Sequence, residues 1–592
     1  MATTYDKASL VMIPSGVKES KLYSIKPTSG DGDFTFSRGT DTATRVNSSG
    51  LIEKERANLL LQSNSFDTTW ATTNSSVTSG QSGYDGSSDA WKVDISAGAG
   101  KVQQSISTSG VQTISFYAKA GTYNFVRVSV DGGNGIYFNL SSGTKGTIIG
   151  SIIDSSIEQV GATDWYRCSM AVSQAITALP IYPAIADNDL TGTSGNIYIQ
   201  DAQLEQGLVA TDYIETTTAA VYEGITDNLP RLDYSGGASC PSLLLEPSRT
   251  NLLANSEYFG AWNNTTYPVT ITSNSATSPD GNTNATLITP TSGSNRHATR
   301  DLNVSAVSGT TYTLSAFFKK AVSRYVVIGD SGDSLWRLVT ADLDEGTITN
   351  ETNATGTIEP YENDWYRVTC TFTRTNAGSV QTFLGAAPTD TNTSAPTFDD
   401  TSLTTYVYGA QCEAGNYATS IIPTYGTSAS RAADVCNKTS ITDLIGQTEG
   451  SVFFEFVFNG MSNTNGAIYP LLLSNGSASE RFEFVVSSAK ALVVYALDNS
   501  SIVGEVRTSN SYMVEGTRYK VGVSYSTGGG LNLYINGTLI ATDTLPSIPS
   551  NNSIYLNDFQ TSATYQGLSD YKQVLLFKSA LTNAELAALT TI

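Results

Sequence analysis

Histidine is nearly absent: His297 is the only one in 592 residues. That excludes imidazole metal clusters, H-E-x-x-H zinc sites and any Ser-His-Asp triad carried by more than one part of the chain. His297 stands in the polar stretch GSNRHATR and reads as ordinary surface. Cysteine is scarce too. Cys168, Cys240, Cys370, Cys412 and Cys436 are odd in number, show no C-x-x-C spacing and are too few for a disulfide framework, so they read as reduced, mostly buried small side chains. Charge is sparse at 15%, and 33 basic against 54 acidic residues leave a net charge of -21. Such a balance repels phosphate backbones and sets nucleic acid aside as a partner. Long apolar runs are missing. The opening MATTYDKASLVMIPSG has only a short apolar run, Leu10 to Ile13, with no basic flank, unlike a secretory signal, and no run reaches the ~20 residues of a membrane span. The expectation is synthesis in a cytoplasm without membrane insertion, any external role then requiring release on a particle. No nucleotide-binding glycine fingerprint follows a strand, and Gly528 to Gly530 read as a chain reversal. No nucleophile or base motif stands out either.

What is present favours β-structure: 31 Tyr, 20 Phe and abundant Gly, Ser, Thr and Asn suit short strands and many turns. Asp-Trp-Tyr-Arg occurs twice, from Asp164 and from Asp364, within a longer ordered series. ANLLLQSNSF from Ala57 matches TNLLANSEYF from Thr250, and TISFYAKA from Thr113 matches TLSAFFKK from Thr313. YIQDAQLEQG from Tyr198 matches YVYGAQCEAG from Tyr406. Order is kept while loop lengths drift, so these are two copies of one domain, and the tetrapeptide reads as scaffold opening a strand. In such a strand Trp and Arg share one face while Asp and Tyr take the other. As scaffold, Trp165 and Trp365 are expected to lie in the core.

The fold class expected is all-β, with tandem β-sandwiches: two related jelly rolls plus one further sandwich, and a short N-terminal arm. Residues 1–52 read as an N-terminal arm or lead-in strands, either packed on the first sandwich or serving as an attachment segment. Residues 53–218 form the first module, 219–245 a connector, 246–435 the second module, and 436–592 a different sandwich. In that last unit Asn536-Gly537 predicts a two-residue hairpin, and Thr582 with Glu585 a capping box.

Sugar binding is the chemistry the composition supports best, since aromatics stack on pyranose rings while Asn, Asp and Gln take hydroxyls. Trp70 pairs with Trp262 and Trp165 with Trp365 between copies, whereas Trp91 and Trp336 occur in one copy each and are the glycan-binding candidates. No cofactor is required. A structural calcium ion has weak candidate ligands in Asp85 and Asp89, or Asp280 and Asn282, against the plainer reading of Asp-Gly turns. A carboxylate pair for glycoside cleavage remains open, because spacing in space is not visible in sequence.

The motifs ANLLLQSNSFDTTW, SFYAKAG, DWYRCS, DAQLEQGLVATDYI and GAQCEAGNYATSIIPTYGTSASRAADV together resemble a module of tailed-bacteriophage virion proteins, of the head spike fibre, tail fibre or carbohydrate-binding type, over about residues 36 to 435. The final unit, with LYINGTLIAT and YKQVLLFKSALTNAELAAL, is similar to concanavalin A-like or laminin G-like lectin sandwiches. The resemblance implies a non-enzymatic structural protein on the virion surface. It would be anchored through its N-terminal region to capsid, portal or tail proteins, form a homo-oligomer, and bind host-surface or environmental glycans. The alternatives are a virion polysaccharide-degrading enzyme, or a capsid or tail component that binds no glycan. Coiled-coil heptads and β-helical repeats are absent, which departs from a long fibre shaft.

Overall fold

The computed structural model describes residues 4–461, 466–559 and 566–592 and is built almost wholly of antiparallel strands. The two repeats are β-sandwiches of one plan. In the first, a six-stranded sheet runs Asp154–Gln159, Trp165–Ser173, Val111–Ala120, Gly195–Gln206, Ala90–Ile95, Ser75–Gln81. The second repeat has the same order: Ile358–Tyr361, Trp365–Thr373, Thr311–Lys320, Thr405–Ala414, Ala285–Pro290, Val269–Ala276. In each, a second sheet packs on the first across one apolar core. Alternation sets the faces: Cys168, Met170 and Val172 enter the first core, while Trp165, Arg167 and Ser169 point the other way. The two Trp of the repeated tetrapeptide therefore lie on the outer face of their sheets. Both are buried there as expected of scaffold, Trp365 in a satellite apolar cluster with Ile52, Phe317 and Tyr408 and not between the two sheets.

Register is shared as well. Lys119 faces Trp165 as Lys319 faces Trp365, and each long strand carries one bulge at the same place, holding Asp201 at φ 52 in the first copy and Gly409 at φ 58 in the second. Glycine takes that backbone freely, whereas aspartate takes it at a cost.

The third sandwich is discontinuous. Its eight-stranded sheet includes Leu10–Met12, Arg231–Asp233 and Ser242–Leu245 beside Glu449–Met461 and Gly567–Phe577. Its nine-stranded sheet begins with Val17–Lys18, Lys21–Leu22 and Phe34–Ser37, which reach Val435–Lys438. Leu10 pairs with Leu576, and Phe36 with Cys436. The described residues of the 1–52 segment are thus neither an arm on the first sandwich nor a free attachment segment, and 219–245 is more than a connector. The short apolar pieces Leu10, Met12, Leu22, Phe34, Phe36, Leu232, Leu243 and Leu245 cannot make a core alone; they complete the core of the C-terminal unit. Both repeats are insertions into this host. Each leaves it through a two-stranded stem, Arg56–Asn58 with Val221–Glu223, and Arg249–Asn251 with Ala429–Arg431.

A buried ion network ties the stems' bases together. Arg231 donates to Glu246 Oε2 at 2.5 Å and to Asp434; Arg431 lies 2.9 Å from the same Glu246 oxygen; Arg38 reaches Asp434 Oδ1 at 3.4 Å. All five side chains are at most 1% exposed. Burial alone would raise the Glu246 carboxyl, but Arg431 and Arg231 outweigh it and hold it down to about 2. Nearby Asp570 goes the other way: burial, then the charges of Asp233 and Glu246, push it up to about 7.

The signs fix a pH profile. Glu246 contributes stability above its ordinary 4.5, lost as pH falls toward about 2, while Asp570 penalises the fold increasingly as pH rises from 3.8 to about 7. The host sandwich is expected to be most stable between pH 4 and 5, which thermal unfolding at pH 2.5, 4.5 and 8 checks.

Two local expectations hold. Asn536 and Gly537 sit at φ 50 and 81 between paired strands, and both arms of the Thr582–Glu585 capping box are formed. The cysteines are mostly buried as expected, four of the five, with Cys240 exposed. One expectation needs correction. His297 is buried among carbonyls, its Nδ1 2.7 Å from Pro268 O and its Nε2 3.1 and 3.0 Å from Gly293 O and Phe398 O.

Candidate functional site

The copies differ most on the outer face of the six-stranded sheet. In the second sandwich this face carries Phe317, Trp365 and Tyr408, all at most 1% exposed. The hairpin Thr44–Val46 with Ile52–Lys54 lies across it and packs Ile52 against those rings. Ile52 N–H donates to Pro279 O at 2.8 Å and Thr44 Oγ1 to Ile421 O at 2.8 Å. Lys54 anchors the end of the hairpin, its Nζ 2.7 Å from Glu257 Oε1 and 3.3 Å from Asp280 Oδ2. Burial disfavours the ammonium, yet Glu257 and the groups around it hold Lys54 protonated.

Among the described residues, no such hairpin lies across the equivalent face of the first sandwich. Tyr117 replaces Phe317, Gln200 replaces Tyr408, and Tyr84, where the second copy has Pro279, stacks flat on Tyr117 at 3.8 Å. Lys119 lies over Trp165 and Tyr198, 5.3 and 4.9 Å from the ring centres. Tyr84, Tyr117, Lys119 and Tyr198 are half-buried, and Asp85 and Asp89 are exposed. The result is an aromatic strip with amide, carboxylate and ammonium groups at its edges, a surface suited to stacking and hydrogen bonding together.

Asp201 sits at the bulge, buried, and accepts from Tyr84 Oη at 2.8 Å. Burial, and after it the charges of Asp89 and Asp85, push its carboxyl up to about 6. Its positive φ, where the second copy uses glycine, is strain of the sort that collects at functional sites. Arg167 is scaffold: like Arg367, it donates through Nη2 to a loop carbonyl, Thr211 O here and Thr419 O there.

The sequence candidates fall apart spatially. Trp91 is buried in the first core, its Nε1 donating to Asn64 O at 2.9 Å and its ring edge-on to Phe66, so it offers no face to a sugar. Trp336 is half-buried on the other sheet of the second copy, edge-on to Phe383 with Arg296 at 5.3 Å. Asp85 and Asp89 do meet: both lie within hydrogen-bond reach of Ser87 Oγ, whose one proton they share, and Gln200 Nε2 donates to Asp89 at 2.8 Å. Asp280 has the Lys54 ammonium where a calcium ion would sit, and Asn282 serves it only through its backbone N–H, at 2.9 Å. The Asp280–Asn282 pair is therefore not a calcium site. Among the described residues, no three His, Cys, Asp or Glu side chains form a group that could hold a metal ion.

Beyond Arg167 the strip runs into a cleft of about 330 Å³ between the two repeats. A second cleft, about 470 Å³, lies where the first stem meets the 423–429 loop. The Glu55 carboxyl there is pushed up to about 8 by burial, then by Asp41 and Asp227.

All three units are thus antiparallel β-sandwiches, the first with an open aromatic face. No protein-family model matches the chain, and no curated protein matches it in sequence. Among solved structures, the CBM40 module of the Ruminococcus gnavus IT-sialidase bound to α2,3-sialyllactose aligns at 16% identity and TM-score 0.22, over 25% of this chain and 84% of that one. The binding domain of botulinum neurotoxin serotype G aligns at 14% identity and TM-score 0.23, over 26% of this chain and 40% of that one. No residue role and no ligand transfers from either at this similarity.

Proposed function

We propose that this chain is a non-enzymatic glycan-binding protein of a tailed-phage virion, and that the open outer face of its first sandwich holds the sugar. One observation carries the binding reading: the same sheet face is sealed by Ile52 in one copy and left open, with Tyr84, Tyr117, Lys119 and Tyr198, in the other. The virion assignment is supported by the ordered motifs that resemble phage fibre modules, and its test is co-purification with intact particles; presence only in the lysate contradicts it. Because residues 10–37 are strands of the host sandwich, attachment to other virion proteins falls to the surface of that sandwich.

Tyr117→Ala removes the platform on which Tyr84 stacks. Affinity for any glycan bound by the full chain is expected to fall at least about tenfold, with Tyr117→Phe retaining most of it. Calorimetric titration of both variants decides this; equal affinity in Tyr117→Ala places binding elsewhere.

A further inference from the structure

The cleft at the end of the strip differs between copies in a specific way. In the second copy the outer face at this point is filled by threonines: Thr357 Oγ1 and Thr369 Oγ1 lie 2.8 Å apart, and Thr313 Oγ1 and Thr371 Oγ1 2.9 Å. The strand register places Ser156, Ser169 and Ala171 of the first copy where Thr357, Thr369 and Thr371 stand in the second. Each exchange deletes a methyl or more, and the space freed belongs to the 330 Å³ cleft.

Building on the glycan-binding reading above, we propose that this cleft is a subsite for a neutral hexose unit at one end of the bound chain. Its volume falls at the lower end of ligand pockets, roughly 300–1,000 Å³, enough for a short sugar segment. Asp154 and Glu158 stand on its rim as acceptors for paired hydroxyls. Asn274 crosses from the second repeat, donating Nδ2 to Asp154 Oδ2 at 2.7 Å, while its Oδ1 is buried without a hydrogen-bond partner. An unpaired buried acceptor is costly to leave, and a sugar hydroxyl reaches this oxygen once the Asn274 side chain turns toward the cleft. Asp154 and Glu158 are balanced by Arg167, already donating to Thr211 O, and by Lys145, 4.0 Å from Asp154 Oδ1, which leaves no surplus cation to hold an acidic sugar. Arg167 also lies over Tyr117 at 5.6 Å, joining cleft and aromatic strip into one path.

The test uses the full chain and a variant that copies the second repeat, Ser156→Thr with Ser169→Thr and Ala171→Thr, whose side chains that sheet already accommodates. Cellotriose, maltotriose and galactotriose, with oligogalacturonate as the acidic control, are titrated calorimetrically against both proteins. The expected result is binding of at least one neutral trisaccharide, weakened tenfold or more in the triple variant at unchanged thermal midpoint, with weaker or no binding of oligogalacturonate. Neutral binding untouched by the triple variant overturns the subsite and leaves the open-face reading standing, provided Tyr117→Ala abolishes it. Tighter binding of oligogalacturonate overturns the neutral class. Silence of all probes, and of a broad glycan array, removes the glycan-binding reading and the subsite together.

Discussion

Residues 436–592 expressed alone are expected to be unfolded and prone to aggregate, although they contain most strands of the third sandwich. The fragment loses eight buried side chains supplied from elsewhere, Leu10, Met12, Leu22, Phe34, Phe36, Leu232, Leu243 and Leu245. At roughly 1.5–3 kcal/mol each, their burial matches or exceeds the whole stability of about 5–15 kcal/mol typical of a domain. Two internal strands also become edges: Gly567–Phe577 loses Leu10–Met12 and Ser242–Leu245, and Val435–Lys438 loses Phe34–Ser37. Unpaired edges of this kind template association. Circular dichroism and size-exclusion chromatography of the fragment check the expectation, and a monomer melting cooperatively near the full chain's midpoint contradicts it.

Arg231→Ala is expected to destabilise the full chain by about 3–5 kcal/mol, the cost of breaking a buried ion pair from one side. It leaves Glu246 and Asp434 facing each other across a dry junction, with Arg431 and Arg38 the cations that remain. The same junction carries both insertion points, so the loss reaches the first repeat, the second repeat and the host at once. Denaturant midpoints followed by tryptophan fluorescence measure it, all six tryptophans lying in the two repeats. A shift below about 1 kcal/mol would mean the network is replaceable by solvent.

Much of the fold can be read from local pattern. The paired motifs mark two sandwiches of one plan because equivalent strands need the same alternation, and Asn536-Gly537 and Thr582–Glu585 are short-range signals that nothing overrides. The discontinuous host was hidden because Leu10 and Leu576 meet across nearly the whole sequence, and a three-residue strand has no signature of its own. The candidate site was harder still. Tryptophans unique to one copy drew notice, yet Trp91 fills core space beside Phe66. The informative exchanges were quieter: Tyr117 for Phe317, Asp201 for Gly409, Ser169 for Thr369. Each puts a polar, strained or smaller residue where the other copy is sealed, and a position-by-position comparison of the repeats carries that signal. What sequence comparison cannot supply is the hairpin ending in Lys54, whose placement on the second copy decides which face stays open.

Hydrogen–deuterium exchange of the full chain, with and without a saturating bound oligosaccharide, tests the central claim most directly. Glycan-dependent protection is expected in residues 111–120 and 165–173 of the first sandwich, with none in the matching 311–320 and 365–373. Protection of the second set, or of the C-terminal sandwich alone, would contradict it.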